Sequence, residues 1–419
     1  MTLFVETEDG VLLRRVPSAS QLPEGEIGAA AERATKHAAM YWGLPDFVFR
    51  SAVRTRGRGV RELGDVIVCV GDVAAVVQVK ARATVTADSD REASWLGKKI
   101  PQAISQAKGT LRNFAKKERD LLVNERGNQV ELTYSSKSWV PVVVVDHPAA
   151  VGFLPPPGAV VLSRGDWEFL FDQLKSTYAV ISYLHRVHDL EPKPLGEEPV
   201  RYYELAAADA AAPPTPLDLS ALRGNASHAS TPLLPRIPAG SEDYHHHLFL
   251  QQILEDIADC PRPEGVNESE FLDVLAAIDT MPVGHRTEMG KLLTNWLDQV
   301  ARTPSGQIGW RVRRYLRRDA PHLVFATASS YTAQIQEAFG WLVRLRHQHL
   351  TEAMPEMQDV LTAGILLTPR HDGRRPWDTT LCATFGEQNF TPEEREALES
   401  LWPYQADYPA LAEEDPVNP

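Results

Sequence analysis

The chain has 419 residues, 43% of them hydrophobic, and a formal net charge of −13. Its length exceeds what one hydrophobic core usually organises, so we expect two folded domains. The acidic balance excludes a generally basic coat for nucleic acid, and any such binding must use local basic patches.

Cysteine spacing and the N-terminal sequence bear on where the protein resides. The three cysteines, Cys69, Cys260 and Cys382, are far apart and include no Cys-x-x-Cys pair, which excludes a disulfide framework and a cysteine zinc site. The first residues lack a basic segment followed by an apolar one, and no apolar run approaches the ~18 residues of a membrane span. The sequence predicts a soluble cytoplasmic protein with no membrane partner.

Residues 65–80 are predicted to form a β-hairpin. The first strand is apolar and β-branched after Asp65, a Gly-Asp turn dipeptide follows, and the second strand is again mainly apolar. Because side chains alternate along a strand, Gln78 and Lys80 lie on the same side of it. The turn brings them close to Asp65 at the open end of the hairpin.

A helix is predicted to follow the hairpin. It begins at Lys98 and has Pro101 in its first turn, where the missing N–H costs little. An apolar stripe with the spacing of a face that packs on a sheet consists of Ile100, Ala103, Ile104, Ala107, Leu111 and Phe114. Gln102 and Gln106 lie on one flank of this stripe.

Basic residues lie on both sides of the hairpin. Arg54, Arg56 and Arg58 precede it in a segment that is predicted to be a mobile loop, able to close on a bound nucleic-acid strand. Lys108 and Arg112 follow it on the other flank of the helix. A basic helix flank alone is more often a solvated surface, but basic groups on both sides of one site are the footprint of a phosphate-backbone binder.

Two further strands and a helix are predicted to complete an α/β domain over residues 1–205. Residues 139–145 form a wholly apolar run, typical of a buried central strand, and residues 159–162 form another strand. Residues 166–186 have helical spacing, with Ser163 upstream as a cap. This order of helices and strands favours a mixed sheet flanked by helices.

The rest of the chain is predicted to contain a linker, a second domain and a tail. Residues 206–240 are rich in proline and alanine and indicate a semi-extended linker. Residues 241–408 are predicted to be an α+β domain, and residues 409–419 a disordered acidic tail. The predicted helices and strands of the second domain cover residues 248–257, 271–278, 288–300, 323–326, 339–349 and 360–367. A basic run at residues 310–318 leaves two interpretations open, nucleic-acid contact or an internal or partner contact.

Asp65, Gln78 and Lys80 carry the chemistry that phosphodiester hydrolysis needs. Mg²⁺ prefers hard oxygen ligands, usually one or two carboxylates with waters and a substrate phosphate, and it lowers the pKa of a bound water. Asp65 would supply a carboxylate, Gln78 a neutral amide oxygen, and Lys80 a charge that orients water or stabilises the phosphoryl group. Each alone has an ordinary interpretation, as a turn residue, a satisfied polar group or a strand-end charge.

The hairpin resembles the core of the restriction-endonuclease-like superfamily, the PD-(D/E)xK nucleases, and in particular their Mrr-type branch, where Gln replaces the acidic residue of the second motif. Here that motif is Gln78-Val79-Lys80, and Gly64 stands in the place of the proline. The resemblance covers residues 20–190 and implies a nuclease fold and a cut that depends on Mg²⁺, or on Mn²⁺ in its place. The glutamine leaves fewer ligand charges, which implies low metal affinity or conditional activity.

The resemblance also implies a third metal-side residue. The family carries a glutamate on a helix before the core strands, and residues 25–44 match that stretch. Glu32 fits the position and would bind metal with Asp65 and Gln78. Glu26 remains the alternative, although it lies at the helix start, where the dipole favours a carboxylate in any case.

The leading hypothesis is a Mg²⁺-dependent endonuclease that cuts DNA. In this superfamily a helix after the core often supplies a glutamine that reaches the site, so Gln102 or Gln106 would support it. The domain at residues 241–408 would select substrate, sense a signal, or bind a protein partner or a second copy of the chain. By resemblance we expect a role in bacterial defence or restriction.

Other functions remain open. A degenerate nuclease fold would bind nucleic acid without cutting it, with Gln78 as the sign of lost catalysis. A nuclease subunit would be active only within a larger complex, in keeping with the acidic net charge and the long linker. Cleavage of RNA instead of DNA is a third alternative.

Overall fold

The computed structural model describes residues 1–7, 10–23, 26–50, 53–56, 59–62, 65–82, 84–211, 234, 241–315, 321–357, 359–370 and 375–402. The chain divides into two compact units. The first comprises residues 1–240 with 282–284, and the second comprises residues 241–281 with 285–419. Each unit has helices, a mixed sheet and a hydrophobic core of its own.

The first unit has five helices and eleven strands among its described residues. In chain order they are β1 (Thr2–Thr7), β2 (Gly10–Arg15), α1 (Ile27–Trp42), β3 (Val48–Phe49), β4 (Val53–Arg56), β5 (Gly59–Glu62), β6 (Val66–Val70), β7 (Val73–Ala81), α2 (Ser89–Phe114), β8 (Arg119–Val123), β9 (Gln129–Thr133), β10 (Ser138–Asp146), β11 (Val160–Ser163), α3 (Arg164–Leu174), α4 (Thr177–His188) and α5 (Glu198–Ala211).

A five-stranded sheet with the order β11-β10-β7-β6-β3 forms the centre of this unit. Strands β6 and β7 pair antiparallel with Val66 opposite Val77, so the predicted hairpin is confirmed. Gly71, in the turn between them, has a φ of 55°, which glycine adopts without steric cost. Strand β7 also pairs parallel with β10, and β10 pairs parallel with the edge strand β11, so both predicted later strands are present.

Helices cover both faces of this sheet. Helix α2 covers one face, where a buried cluster includes Leu96, Ile100, Ala103, Ile104, Val143, Val145 and Val161. Val142 and Val144 are also buried, and alternation along β10 directs them to the other face. On that face α1, α3 and α4 contact one another and the central strands.

Helix α2 begins at Ser89 and not, as predicted, at Lys98. Asp88 caps it by accepting hydrogen bonds from two backbone N–H groups of the first turn, at 3.0 and 3.1 Å. Pro101 therefore lies inside the helix, where it removes the hydrogen bond to the carbonyl of Gly97. Both residues are exposed, so solvent can reach that carbonyl and the helix continues.

The helix predicted over residues 166–186 is divided into α3 and α4. The predicted cap is present, because Ser163 and Asp166 form a capping box at the start of α3. The division falls at Lys175, whose φ of 52° is left-handed, and Ser176 then caps α4. Apolar spacing did not reveal the division because both helices bury their faces in the same core.

Two segments that the sequence predicted to be irregular contain regular structure. Residues 206–211, the start of the predicted linker, belong to α5. Residues 54–56 and 59 of the predicted mobile loop lie on β4 and β5, which pair with Arg56 opposite Gly59. The remaining linker residues other than Leu234, and the predicted tail at residues 409–419, lie outside the described residues.

The second unit has five helices and four strands among its described residues. They are α6 (Ser241–Asp259), α7 (Glu268–Asp279), α8 (Val283–Ala301), β12 (Trp310–Tyr315), β13 (His322–Ala328), α9 (Ala333–Ala353), β14 (Thr362–Pro369), β15 (Trp377–Thr384) and α10 (Pro392–Leu401).

These strands form a sheet with the order β12-β13-β14-β15, in which the central pair is parallel and the outer pairs are antiparallel. Helix α9 packs on one face against Val324, Ala326 and Leu366. Asp256 of α6 holds β15 by accepting hydrogen bonds from Trp377 Nε1 and Thr379 Oγ1, at 3.1 and 2.9 Å.

Every predicted helix and strand of the second unit is present, but β12, β15 and α10 were not predicted. The basic run supplies β12, where Trp310 and Val312 pack against the α9 cluster. Arg311, between them in the chain, donates a hydrogen bond to Gln299 at 3.2 Å. The alternation of apolar and basic residues is therefore that of a half-buried strand.

No helix in the described ranges combines the length and the apolar composition needed to cross a bilayer.

The contact between α1 and α4 requires glycine at position 43. A Cβ atom there would lie 1.8 Å from Thr177 Oγ1 and 2.8 Å from the carbonyl oxygen of Ala39, and both neighbours are fully buried. We expect Gly43→Ala to lower the free energy of unfolding by about 1–3 kcal/mol because the buried neighbours must shift. Chemical denaturation followed by circular dichroism measures this change.

Gly28→Ala on the same helix is the matched control. A Cβ at Gly28 meets nothing within 4 Å, so we expect an unchanged stability or a gain of up to about 1 kcal/mol from helix propensity. Equal losses from both substitutions would contradict the packing explanation.

Candidate active site

Asp65 and Lys80 meet at the open end of the β6–β7 hairpin. The Asp65 N–H donates to the Val77 carbonyl oxygen at 3.2 Å, which extends the ladder by one residue before β6 begins. The carboxylate Oδ2 accepts the Val79 N–H at 2.6 Å, and the Lys80 ammonium lies 3.7 Å from the same oxygen. The structure therefore brings two of the predicted residues together as a partly exposed ion pair.

Gln78 faces the same side of the sheet as this pair. The register places Asp65 beside Gln78, and it places Gln78 and Lys80 opposite Val143 and Val145, which belong to the cluster under α2. The Gln78 side chain is only 4% exposed and forms no hydrogen bond with a described residue. A buried amide in this state costs free energy unless a ligand or solvent satisfies it.

Glu32 belongs to α1, which lies on the other face of the sheet. Helix α1 packs with α3 on the face opposite α2, and the carbonyl of Thr35 accepts a hydrogen bond from Trp167 Nε1 at 3.0 Å. Glu32 is half-buried there, one turn before Lys36, and Glu26 is exposed at the helix start. A metal ion shared by Glu32 and the hairpin residues would have to lie beyond the strand ends, because the sheet separates the two faces.

The two glutamines of α2 have different surroundings. Gln102 is exposed, and its Oε1 lies 3.5 Å from Lys99 Nζ. Gln106 is half-buried, and its Oε1 is buried without a hydrogen-bond partner among the described residues. Positions 106 and 108 are separated by about 200° around a helix, so Gln106 lies on the flank opposite Lys108. Neither glutamine forms a hydrogen bond with Asp65, Gln78 or Lys80.

The predicted nucleic-acid contacts are only partly described. Lys108 and Arg112 are exposed on the flank of α2 beside residues 155–158, which lead into β11. That strand is the edge of the sheet farthest from β6 and β3. Arg54 and Arg56 lie on β4, but their side chains, and all of Arg58, are outside what the structure describes.

The hairpin offers oxygen donors of the kind that Mg²⁺ prefers. Within the described ranges, no group of three or more His, Cys, Asp or Glu residues is arranged to hold a metal. Asp65 supplies a carboxylate on the α2 face, and its Oδ1 makes no hydrogen bond to a described residue. With the amide oxygen of Gln78 it offers two hard ligands, and Mg²⁺ typically completes its shell with waters and substrate phosphate.

A buried polar network that the sequence analysis missed lies beside this site. Glu92, near the start of α2, accepts hydrogen bonds from Arg82 at 2.9 Å, from the Thr86 hydroxyl at 2.7 Å and from His147 Nε2 at 2.8 Å. Trp95 contacts the His147 ring in a tilted arrangement, with centroids 5.2 Å apart. The network joins the ends of β7 and β10 to α2. In the sequence it could have been recognised from the polar residue that follows each buried strand.

The protonation states of this network follow from its hydrogen bonds. His147 Nδ1 accepts the Ala149 N–H at 3.0 Å, so Nε2 carries the proton that it donates to Glu92. Burial raises the pKa of Glu92, but hydrogen bonds from Thr86 and His147 and the charge of Arg82 outweigh it and lower the pKa from 4.5 to about 2. Glu92 is therefore ionised throughout the neutral and mildly acidic range.

Comparisons of this chain with protein-family models, with curated proteins and with solved structures found no match.

The low pKa of Glu92 predicts how stability depends on pH. Since the pKa is lower in the folded chain, the stabilisation is fully present above pH 4.5 and is lost as the pH falls toward 2. Glu92→Gln should lower the melting temperature at neutral pH and flatten this acid-dependent loss. Thermal denaturation followed by circular dichroism across the acid range measures both effects.

Glu131→Gln provides the matched control for that experiment. Glu131 forms an ion pair with Arg119 in which both side chains are more than half exposed, and such pairs contribute little to stability. A pH profile for Glu92→Gln that follows the Glu131→Gln profile would contradict the assigned pKa.

Proposed function

We propose that this protein is a Mg²⁺-dependent endonuclease that hydrolyses phosphodiester bonds in DNA. The observation that carries the proposal is the Asp65–Lys80 ion pair with Gln78 on the same face of the sheet. These residues combine two hard oxygen ligands and a cation at the end of a buried hairpin. A site at the strand ends is also where open α/β sheets bind their ligands.

Each residue has a distinct role in this proposal. Asp65 Oδ1 and the Gln78 amide oxygen would hold the ion, with Glu32 reaching it from beyond the strand ends. Bound Mg²⁺ would stabilise charge on the leaving oxygen and lower the pKa of a bound water. Lys80, already held against Asp65, would place a positive charge beside the phosphoryl oxygens.

The wider features of the proposal concern substrate and partners. Arg54, Arg56, Arg58, Lys108 and Arg112 would contact the phosphate backbone, and Gln106 would support the site. The second unit would select substrate, sense a signal or bind a partner, including a second copy of this chain. A role in bacterial defence, exerted in the cytoplasm, belongs to the same proposal.

A second candidate is a nucleic-acid-binding module that has lost catalysis. Two observations favour it. Gln78 stands where a carboxylate would hold metal more strongly, and Asp65 Oδ2 is already used by the Val79 N–H and by Lys80. Activity confined to a larger complex is consistent with the same two observations.

Lys80→Ala tests the catalytic assignment. We expect nicking of supercoiled plasmid in Mg²⁺ or Mn²⁺ to fall by about 100-fold or more, because a charge at the reacting phosphate is removed. Binding of the plasmid should persist. Lys98→Ala, an exposed lysine on α2, is the control and should cut like the wild type. Equal nicking by wild type and Lys80→Ala would show that Lys80 has no part in the mechanism. The same assay with RNA in place of DNA decides which nucleic acid is the substrate.

Gln78→Glu tests the metal site and separates the two candidates. A second carboxylate should tighten Mn²⁺ binding by about tenfold or more, which isothermal titration calorimetry measures. Gln78→Leu should weaken binding. If Gln78→Glu cuts DNA and the wild type does not, the degenerate module is the correct function. Equal metal affinity in all three proteins would exclude Gln78 as a ligand.

A further inference from the structure

A groove on the flank of α2 that faces β11 is lined by two cationic side chains and an apolar wall. It has a volume of about 280 Å³ and lies between the helix and the segment that leads into β11. Lys108 and Arg112 supply its charge, and Ile104, Pro156 and Pro157 supply its wall. The groove is partly open to solvent, so a ligand can enter it from outside.

Both cations of this groove lack an acidic partner. Neither Lys108 nor Arg112 forms an ion pair with any carboxylate in the described part of the chain. Both are exposed and lie four residues apart on one side of α2. In a chain with a net charge of −13, two adjacent cations without carboxylates are a local positive field that attracts anions.

The end of the Lys108 side chain lies close to the opposite wall of the groove. Gly158 has a φ of 111°, and a Cβ atom there would lie 2.3 Å from the Lys108 ammonium. The positive φ favours glycine at this position, and the end of the Lys108 side chain lies beside it. The prolines before Gly158 have fixed φ angles, so this wall loses little conformational entropy when a ligand binds.

We propose that this groove binds a non-scissile phosphate of the nucleic acid that enters the Asp65–Lys80 site. The inference rests on the proposed function and deepens it, because it assigns the contact of Lys108 and Arg112 to a phosphate away from the cut and to a defined groove. The groove lies beside β11, and strand β10 separates β11 from β7, so the two places are on opposite flanks of α2. A nucleic acid held in both must cross this helix.

The groove chemistry fits a phosphodiester and no particular base. Arg112 can form paired hydrogen bonds with phosphate oxygens, and Lys108 adds a point charge. Ile104 and the two prolines offer no hydrogen-bond donors or acceptors at side-chain atoms, so they contact sugars without reading sequence. Binding should therefore be sequence-independent and strongly dependent on salt.

Fluorescence anisotropy with a labelled DNA duplex, titrated at several salt concentrations, tests the groove. The test variant is Lys108→Ala/Arg112→Ala, and the control is Lys98→Ala/Lys116→Ala, which removes two exposed cations outside the groove. We expect the test variant to bind about tenfold more weakly, since one or two charge-assisted hydrogen bonds are lost. The slope of log K against log salt should fall by about 2. The control should retain most of the wild-type slope and affinity.

The outcomes separate this inference from the proposed nuclease. If the test variant binds DNA more weakly and the wild-type protein does not cut DNA, the phosphate-binding role of the groove is kept and the nuclease function is overturned. Cutting by wild type with equal slopes for both variants would overturn the groove alone. If wild type binds no DNA, or if an acidic peptide binds in a Lys108-dependent way and DNA does not, the nucleic-acid assignment of the groove is overturned.

Discussion

Hydrogen bonding of β7 to a neighbour on each side is the constraint on which the first unit depends. Residues 73–79 are all buried, with an antiparallel partner on one edge and a parallel partner on the other. A strand in this position has no free backbone group along its length, so polar chemistry can occur only at its end. Lys80 and Arg82 lie at that end, and the charged group of each forms an ion pair with a carboxylate there.

Asp65 shows how folding and chemistry compete for the same atoms. Its Oδ2 completes the β6–β7 ladder by accepting the Val79 N–H, which fixes the carboxylate against the hairpin. The fixed carboxylate loses little entropy when it binds a ligand, and this favours a metal site. The same contact and the nearby Lys80 ammonium also reduce the negative charge that a metal would meet. A site of this kind needs substrate phosphate to complete its ligand set.

The sequence predicted the elements with strong local signals and missed those that depend on contacts distant in the chain. The hairpin at residues 65–80 was predictable because apolar alternation and a glycine turn are local. The start of α2 was not, because the Asp88 cap lies in a polar segment without apolar spacing. The division between α3 and α4 depends on the left-handed backbone conformation of Lys175, and a lysine in the sequence does not indicate that conformation.

The same distinction applies to the candidate site. Strand alternation and the turn placed Asp65 next to Lys80, and the structure has them 3.7 Å apart. The face occupied by Glu32 could not be predicted, because it depends on α1 packing with α3 across the sheet from α2. The Glu92 network was missed for a related reason, since Arg82 and His147 are distant in sequence and meet only because β7 and β10 are parallel neighbours.

Helix α2 is the element that joins the proposed chemistry to the proposed recognition. Its start is fixed to the ends of β7 and β10 by Glu92, and its apolar stripe fixes its rotation over the sheet. Because the rotation is fixed, Gln106 must lie toward β7 and Lys108 toward β11. Under the proposed function, the net charge of −13 opposes the approach of nucleic acid, and Lys108 and Arg112, which form no ion pair with a described carboxylate, would attract it locally. In this proposal the buried face of α2 therefore determines where a phosphate backbone would approach the molecule.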